Sequence, residues 1–445
     1  MAVLFQNGRL IDGTGAPARA ADVLVEGNRI SAVGPEALGQ SEALAQVIRF
    51  DIAGATLMPG LIDAHCHVTF DAPCSNDELF FHRRAPLSAI IAAADVRKLL
   101  CAGVTGFFDA DSIFEIGVDL RDAIEAGVVE GPRMATGGHA LLTSVGGTAG
   151  RLFPDDGIQG YAVIVRSHDE IVAEVRRQIK HGVDWVKVHV TGLIPRQRTR
   201  GELTVWSMNE LRAVCDTAHA LGIPVVGHCR NAESTRDAVR AGFDMILHAT
   251  HMDEEAYEAV CERKVPVVPT FAFQANLADY GDAVDADPAL QDLFRREIVD
   301  SAAMLRRLHA AGVPLLCGTE SGFSLTPLGE WHYRELEVFV RDLGFTPLQA
   351  IRAATFDAAR ALRMEGEVGE IAVGRLADLI VVRGDPSKDV TLLGDRAALW
   401  HVMADGQLVD LTRPERPRRT IPGWRVSLYS SRILTRERAK LSSRN

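Results

Sequence analysis

Short apolar runs alternate with amphipathic stretches through the middle of the chain. The runs LMPGLIDAH, VTGFFDA, RMATGG, WVKVHV, PVVGHC, MILHA, PVVPTF and PLLCGTE have the length and composition of buried parallel strands. Between them, stretches such as LSAIIAAADVRKLLCAG and HDEIVAEVRRQIKHG carry a helical period. Each ends in a glycine, Gly103 or Gly182, suited to a helix C-terminal cap. Strand–helix alternation predicts the α/β class, and eight strands over about 250–300 residues fit a (β/α)8 TIM barrel. A doubly wound open sheet is the competing architecture, but no G-x-G-x-x-G follows the first strand.

The two ends read differently. Residues 1–55 alternate in short strands, with Glu26, Gly27 and Asn28 at a hairpin turn and no long helical pattern. Residues 368–412 repeat the pattern, with Asp405 and Gly406 at a turn. Two β-rich ends can pair into one small β-sandwich domain. The expected organisation is a sandwich from 1–55 and 368–425, a barrel over 56–367, and a basic tail over 426–445. From Arg413 onward the chain is rich in arginine: Arg416, Arg418, Arg419, Arg432, Arg436 and Arg438. These suit either an anion-binding arm or a solvated terminal extension packed on a neighbouring subunit.

Composition narrows the functional classes. A 445-residue chain with 47% hydrophobic and 24% charged residues is ordinary globular protein. A net charge of -11 argues against a nucleic-acid partner. Seven cysteines without a Cys-x-x-Cys pair suit a reducing compartment. No apolar run approaches a membrane span, and Gln6, Asn7 and Gly8 interrupt any signal-peptide core. A cytoplasmic enzyme without a membrane partner is therefore expected.

Chemistry concentrates where the apolar runs stop. His65 and His67 in LIDAHCHV share one strand face, as residues i and i+2 do, and imidazole is a common ligand for zinc-like metals. An isolated His-x-His could equally be a pair of satisfied core histidines. His228, His248 and Glu320 end three further strands, where barrel enzymes carry their catalytic groups. Lys187 lies amid apolar residues in WVKVHV. A buried cation needs neutralising, by an ion pair with an acid or by carbamylation with CO2.

These residues resemble the amidohydrolase superfamily. The similarity runs through PGLIDAHCH, Lys187, His228, His248, GTES at 318–321 and the long run from TPLQAIRAATFDAARALRMEGEVGEIAVGRLADLIVV. It is similar above all to the branch of Xaa-Pro dipeptidases, acyl-amino-acid hydrolases and imidazolonepropionase-related enzymes. The resemblance implies a divalent-metal centre, zinc in one or two ions. His65, His67 and Glu320 would hold the first ion, His228 and His248 the second, and a carbamylated Lys187 would bridge both. A metal-activated hydroxide would attack the substrate carbonyl, and Glu320 would pass the proton to the leaving nitrogen. Homo-oligomers are frequent among such relatives.

Three positions depart from that pattern. Glu320 stands where relatives have Asp, a reach longer by about 1.5 Å. Thr148 replaces a histidine in the Gly-Gly loop VGGTAG, although His139 appears earlier in TGGHALL. Arg230 replaces an aromatic near His228; a guanidinium there suits a substrate carboxylate or a salt bridge. His189, two residues after Lys187, is a candidate pocket residue, and Asp63 could orient a ligand or cap a turn. Cys66, Cys229 and Cys317 read as packing residues. The expected function is hydrolysis of an amide-type C–N bond in a small molecule. The substrate would be an N-acyl amino acid, a dipeptide, or an aryl amide, urea or carbamate of xenobiotic type. Ring-opening or deamination of a cyclic imine and a non-catalytic scaffold are the alternatives.

Overall fold

The computed structural model describes residues 2–70, 72–73, 84–145, 160, 162–192, 202–413 and 432–442. Its centre is a series of parallel strands following one another in chain order. Leu61–Cys66 pairs with Val104–Asp109, which pairs with Arg133–Thr136. Val186–His189 then neighbours Val225–Cys229, followed by Met245–His248 and Val267–Val268. Every position of these strands except Arg133 is buried, which is why they read as continuous apolar runs rather than alternating ones.

Backbone hydrogen bonds continue between these groups. Thr136 O accepts from the Asp184 and Trp185 amides, Val267 O from Leu316, and Cys317 O from Ala64. The last predicted strand, PLLCGTE, differs from expectation: it makes one isolated parallel bridge, at Leu315, with a second at Ser321 just beyond it, and no continuous ladder. The chain enters the left-handed region at Glu320, with φ 57°, and again at Gly322, which ends extended pairing there. Two further short strands, Ala140–Leu142 and Ala162–Ile164, run parallel beside Val186–His189. At three residues each they are too short to carry a readable period.

Helices lie between the strands. His168–His181 begins at Ser167, whose side chain accepts from the Glu170 amide, and ends at Gly182 with φ 99°. The stretch after residue 84, expected as one helix, is two, Ala85–Asp95 and Arg97–Cys101.

Strands from near the two chain ends pair in one sheet. Ala55–Pro59 pairs antiparallel with Leu379–Arg383 inside one six-stranded sheet. Val3, Phe5, Leu57, Leu379, Val381 and Met403 share one buried cluster, so residues from both termini desolvate each other. Both predicted hairpin turns form, with Glu26 opposite Arg29 and Ala404 opposite Gln407. The turns also touch: Asn28 Nδ2 donates to Asp405 Oδ1 at 3.0 Å. Arg133, at the end of a central strand, reaches Asp378 and Asp405 at 2.6 Å each and ties these turns to the parallel strands. A short helix, Pro35–Glu42, interrupts the front segment, which the sequence pattern did not indicate.

The tail is not a free arm where it is described. Leu434 is buried, its carbonyl accepts from Trp331 Nε1, and Arg436 pairs with Glu330 at 3.0 Å. Arg432 lies 3.6 Å from Asp285. These arginines neutralise acids of the same chain; Arg416, Arg418 and Arg419 lie outside the described residues. Among the described residues, no helix is long and apolar enough to cross a membrane.

Candidate metal centre

The period-2 geometry of the first strand brings His65 and His67 together as the sequence implies. Their Nε2 atoms are 3.1 Å apart, and both rings are buried. Glu320 reaches both from across the structure, with Oε2 3.6 Å from His65 Nε2 and Oε1 3.6 Å from His67 Nε2. The carbonyl of His65 accepts from the Glu320 amide, which sets the two segments side by side.

Glu320 also lies 3.9 Å from His248 Nδ1. The extra methylene over Asp therefore carries the carboxylate into the midst of three imidazoles. Single donor atoms of His65, His248 and Glu320 all lie within 4.8 Å of one another. His248 stands between the two groups, its ring centroid 5.3 Å from that of His65 and 4.3 Å from that of His228. Both His248 and Glu320 hold left-handed backbone, φ 69° and 57°, a strain of about 1–3 kcal/mol each that packing must sustain.

Electrostatics sort the two paired histidines. Burial pulls His65 down to about 3, against the pull of Glu320. Burial acts the same way on His67, but Glu320 and Asp111 outweigh it and hold that ring above its ordinary value. Burial would raise Glu320, yet the charges of His65 and His67 keep it below the usual carboxylate range.

Lys187 is fully buried, and its neutralising partner is an acid. Asp111 Oδ1 is 3.3 Å from Nζ, while Asp111 Oδ2 is 3.0 Å from His189 Nε2. Asp111 is held well below the ordinary carboxylate value: burial opposes this, and the charges of Lys187 and His189 overcome it. Of the two ways to neutralise Lys187 that the sequence left open, the ion pair has an acid within reach in Asp111. Asp111 was not foreseen; the signal was in DADS, where carboxylates at 109 and 111 follow a strand end. Burial raises Asp109 to about 7, although Asp109 Oδ1 accepts from the Val68 amide at 2.9 Å.

His228 meets a second unforeseen acid. Glu202 Oε2 is 3.0 Å from His228 Nε2 and accepts from Thr191 Oγ1 at 2.8 Å. Burial would raise Glu202, but His228 and Arg230 hold it at about 2. Arg230 Nε lies 3.5 Å from Glu202 Oε1, and its Nη2 lies 2.7 Å from both oxygens of Glu297. Of the two roles the sequence allowed it, Arg230 takes the salt bridge: its charge is spent on Glu297 and Glu202.

A network beneath the site explains the alignment of the first strand with Glu320. Asp63 Oδ1 accepts from the His65 amide at 3.1 Å and the Thr319 amide at 3.0 Å. Asp63 Oδ2 accepts from Thr319 Oγ1 at 2.5 Å and from His332 Nδ1 at 2.7 Å. The Gly329 amide donates to His332 Nε2, so the proton sits on Nδ1, facing Asp63. Of its two expected roles, Asp63 takes the orienting one.

His189 joins the centre, its ring stacked on His228 with centroids 4.6 Å apart. His139 is placed elsewhere. Its ring meets Phe114 edge-on at 6.4 Å, and its charged neighbours are Arg177, Glu115, Glu174 and His181. Burial lowers it to about 4. Thr148 lies outside the described residues. Cys66, Cys229 and Cys317 are buried in the main hydrophobic cluster, as packing residues are.

The donor set fits a divalent ion. The nitrogens that face Glu320 are His65 Nε2, His67 Nε2 and His248 Nδ1, while the second nitrogens of two of these rings, His65 Nδ1 and His248 Nε2, are buried and lack a hydrogen-bond partner among the described residues.

The comparisons agree with this chemistry. The amidohydrolase family model matches residues 56–409. An ochratoxinase from Aspergillus niger is 26% identical over 426 residues, covering 90% of this chain and 85% of that protein. An imidazolonepropionase from Cereibacter sphaeroides is 26% identical over 414 residues, covering 90% of this chain and 97% of that protein. The solved structure of a Xaa-Pro dipeptidase with methionine bound in its active site superposes with a TM-score of 0.79 at 27% identity. That match covers 92% of this chain and 100% of the other.

Proposed function

Because the chain belongs to the amidohydrolase family and is a hydrolase acting on carbon–nitrogen bonds, we propose that it cleaves an amide-type bond of a small molecule at a divalent-metal centre. The observation that carries this reading is the convergence of His65, His67 and His248 on Glu320. Within the proposal, His65, His67 and Glu320 would hold one ion and His228 and His248 a second, and Lys187, once carbamylated, would supply an anionic ligand. The parallel strands form a (β/α)8 barrel presenting the ligands at one rim, and the two termini form a β-sandwich.

A divalent ion there supplies Lewis acidity to the scissile carbonyl and lowers the pKa of water. Glu320, an acceptor among imidazoles, takes the proton released on attack and delivers it to the leaving nitrogen. The Asp63–His332 pair holds Thr319 and His65, and through them the separation of Glu320 from the histidines. With Arg230 engaged by Glu297 and Glu202, its support for a substrate carboxylate weakens, which favours neutral aryl amides, ureas or carbamates.

A screen of N-acyl amino acids, anilides, phenylureas and carbamates tests the reading. Chelated protein should be inactive on all, and reloading with zinc, manganese or cobalt should restore hydrolysis of one group. Activity indifferent to chelation would sink the metal-dependent reading. The bridging role has its own check. Reloading in bicarbonate should add the mass of one CO2 to the native protein, and Lys187→Ala should abolish that increment together with most of the activity. If the Asp111 pair keeps Lys187 unmodified, no increment appears, and a one-ion centre of His65, His67, His248 and Glu320 becomes the better description.

A further inference from the structure

This inference rests on the metal-dependent reading above. A neutral imidazole carries one proton, so the nitrogen that holds it is closed to a metal and the other is open. The hydrogen bond made by one nitrogen decides which state the other takes. At His248 the fold supplies such a bond. Its Nδ1 lies 3.9 Å from Glu320 Oε2, but Thr270 Oγ1 stands closer, at 2.5 Å. Its Nε2 is buried and has no hydrogen-bond partner among the described residues. Thr270 follows the strand Val267–Val268, which pairs with Met245–His248. Both residues are buried, and both hold left-handed backbone, with φ 69° at His248 and 58° at Thr270. For a β-branched residue such a φ is an outlier, of the kind that clusters at functional sites.

We propose that Thr270 is a positioning residue of the metal centre, whose hydroxyl accepts a hydrogen bond from His248 Nδ1 and leaves the lone pair of Nε2 for the ion. The first argument is a count of protons. A hydroxyl has a single proton to give. Thr270 Oγ1 donates it to Pro269 O at 2.6 Å. Toward His248 it can then only accept, so the ring proton lies on Nδ1. The opposite tautomer would put an N–H on Nε2, which has no acceptor among the described residues. It would also set two lone pairs against each other at Nδ1, unless the hydroxyl gave up Pro269. The second argument is the place of the ring. Its centroid is 4.3 Å from that of His228 and 5.3 Å from that of His65, so His248 sits nearer its partner on the second ion.

A plainer role is that Thr270 only closes its own turn onto Pro269. That role predicts nothing about the proton on His248, which can be read without metal. Chelated wild type, Thr270→Val and Thr270→Ser are prepared with isotope-labelled histidine, and proton–nitrogen NMR correlations locate the ring protons. The signals of His248 are identified by their loss in His248→Gln. Wild type and T270S should carry the proton on Nδ1. T270V keeps the shape but has no acceptor, and should shift the proton toward Nε2. The same proteins are then reloaded with zinc or cobalt alone and compared by metal content per chain and binding isotherm. T270V should bind the ion at His248 about 10–100-fold more weakly, and T270S should bind as wild type does. Thermal unfolding of the metal-free proteins controls for folding. If T270V does not fold, Thr270→Gly, which accepts left-handed backbone, should show the same shift and the same loss. A proton on Nε2 in wild type overturns the proposal, as does an unchanged proton position or metal affinity in the hydroxyl-free variant. A wild-type chain that takes up no metal would overturn the metal-dependent reading itself, and the proton position then separates the two failures.

Discussion

Glu320→Gln should lower kcat/KM by about 10³-fold, on the order of 4 kcal/mol in transition-state stabilisation, while leaving the protein folded. Gln keeps the volume and the hydrogen-bonding oxygen, so packing around the left-handed turn at residue 320 changes little. What is lost is the negative charge among His65, His67 and His248, and with it a proton acceptor and an anionic metal ligand. The measurement is steady-state kinetics on the best substrate of the screen, with metal content determined on the same samples. Retention of more than about a tenth of the activity would remove Glu320 from the catalytic role, since general acid–base groups contribute about 10²–10⁴-fold. Glu320→Asp is the sharper companion. A side chain shorter by about 1.5 Å cannot span from His67 to His248, so metal affinity should fall even though the charge is kept.

Asp63→Ala is the second large effect, and it acts on stability. Asp63 accepts four hydrogen bonds, from the amides of His65 and Thr319, from Thr319 Oγ1 and from His332 Nδ1, all buried. Truncation leaves those donors facing a cavity. Breaking a buried, hydrogen-bonded pair in this way costs about 3–5 kcal/mol. Urea unfolding of the metal-free protein should show that loss, and metal affinity should drop by about 10–100-fold because His65 and Glu320 lose their common anchor. Asp63→Asn should recover part of the stability, since its oxygen can still accept from the two amides. If Asp63→Ala unfolds at the same urea concentration as wild type, the network does not anchor the site.

The sequence carried a large part of the site. His65, Lys187, His228 and His248 lie on strands that their own apolar neighbours define, and His67 follows directly on one; the rings of His65 and His67, of His65 and His248, and of His248 and His228 meet. Glu320 was legible as an acid at the end of an apolar run, though that run pairs only through isolated bridges. The acids that complete the centre were less legible. Asp111 lies past the end of its strand, Glu202 and Glu297 have no local pattern that distinguishes them, and His332 precedes a helix far along the chain. His139 is a candidate whose surroundings the sequence did not specify. Its ring meets Phe114 edge-on, a contact between segments that the TGGH context did not show.

By itself, the sequence determined the class of the longer strands and helices of the central alternation and which donor residues arrive at or near strand ends, because both follow from local periodicity and from where apolar runs stop. Only the tertiary structure decided how those groups are paired. That Lys187 faces Asp111, that Arg230 is spent on Glu297 and Glu202, and that Glu320 reaches His248 are facts of distance between segments tens of residues apart or more. Charges buried together must be neutralised by whichever partner the fold brings within a few ångströms, and no local pattern in the chain specifies that partner.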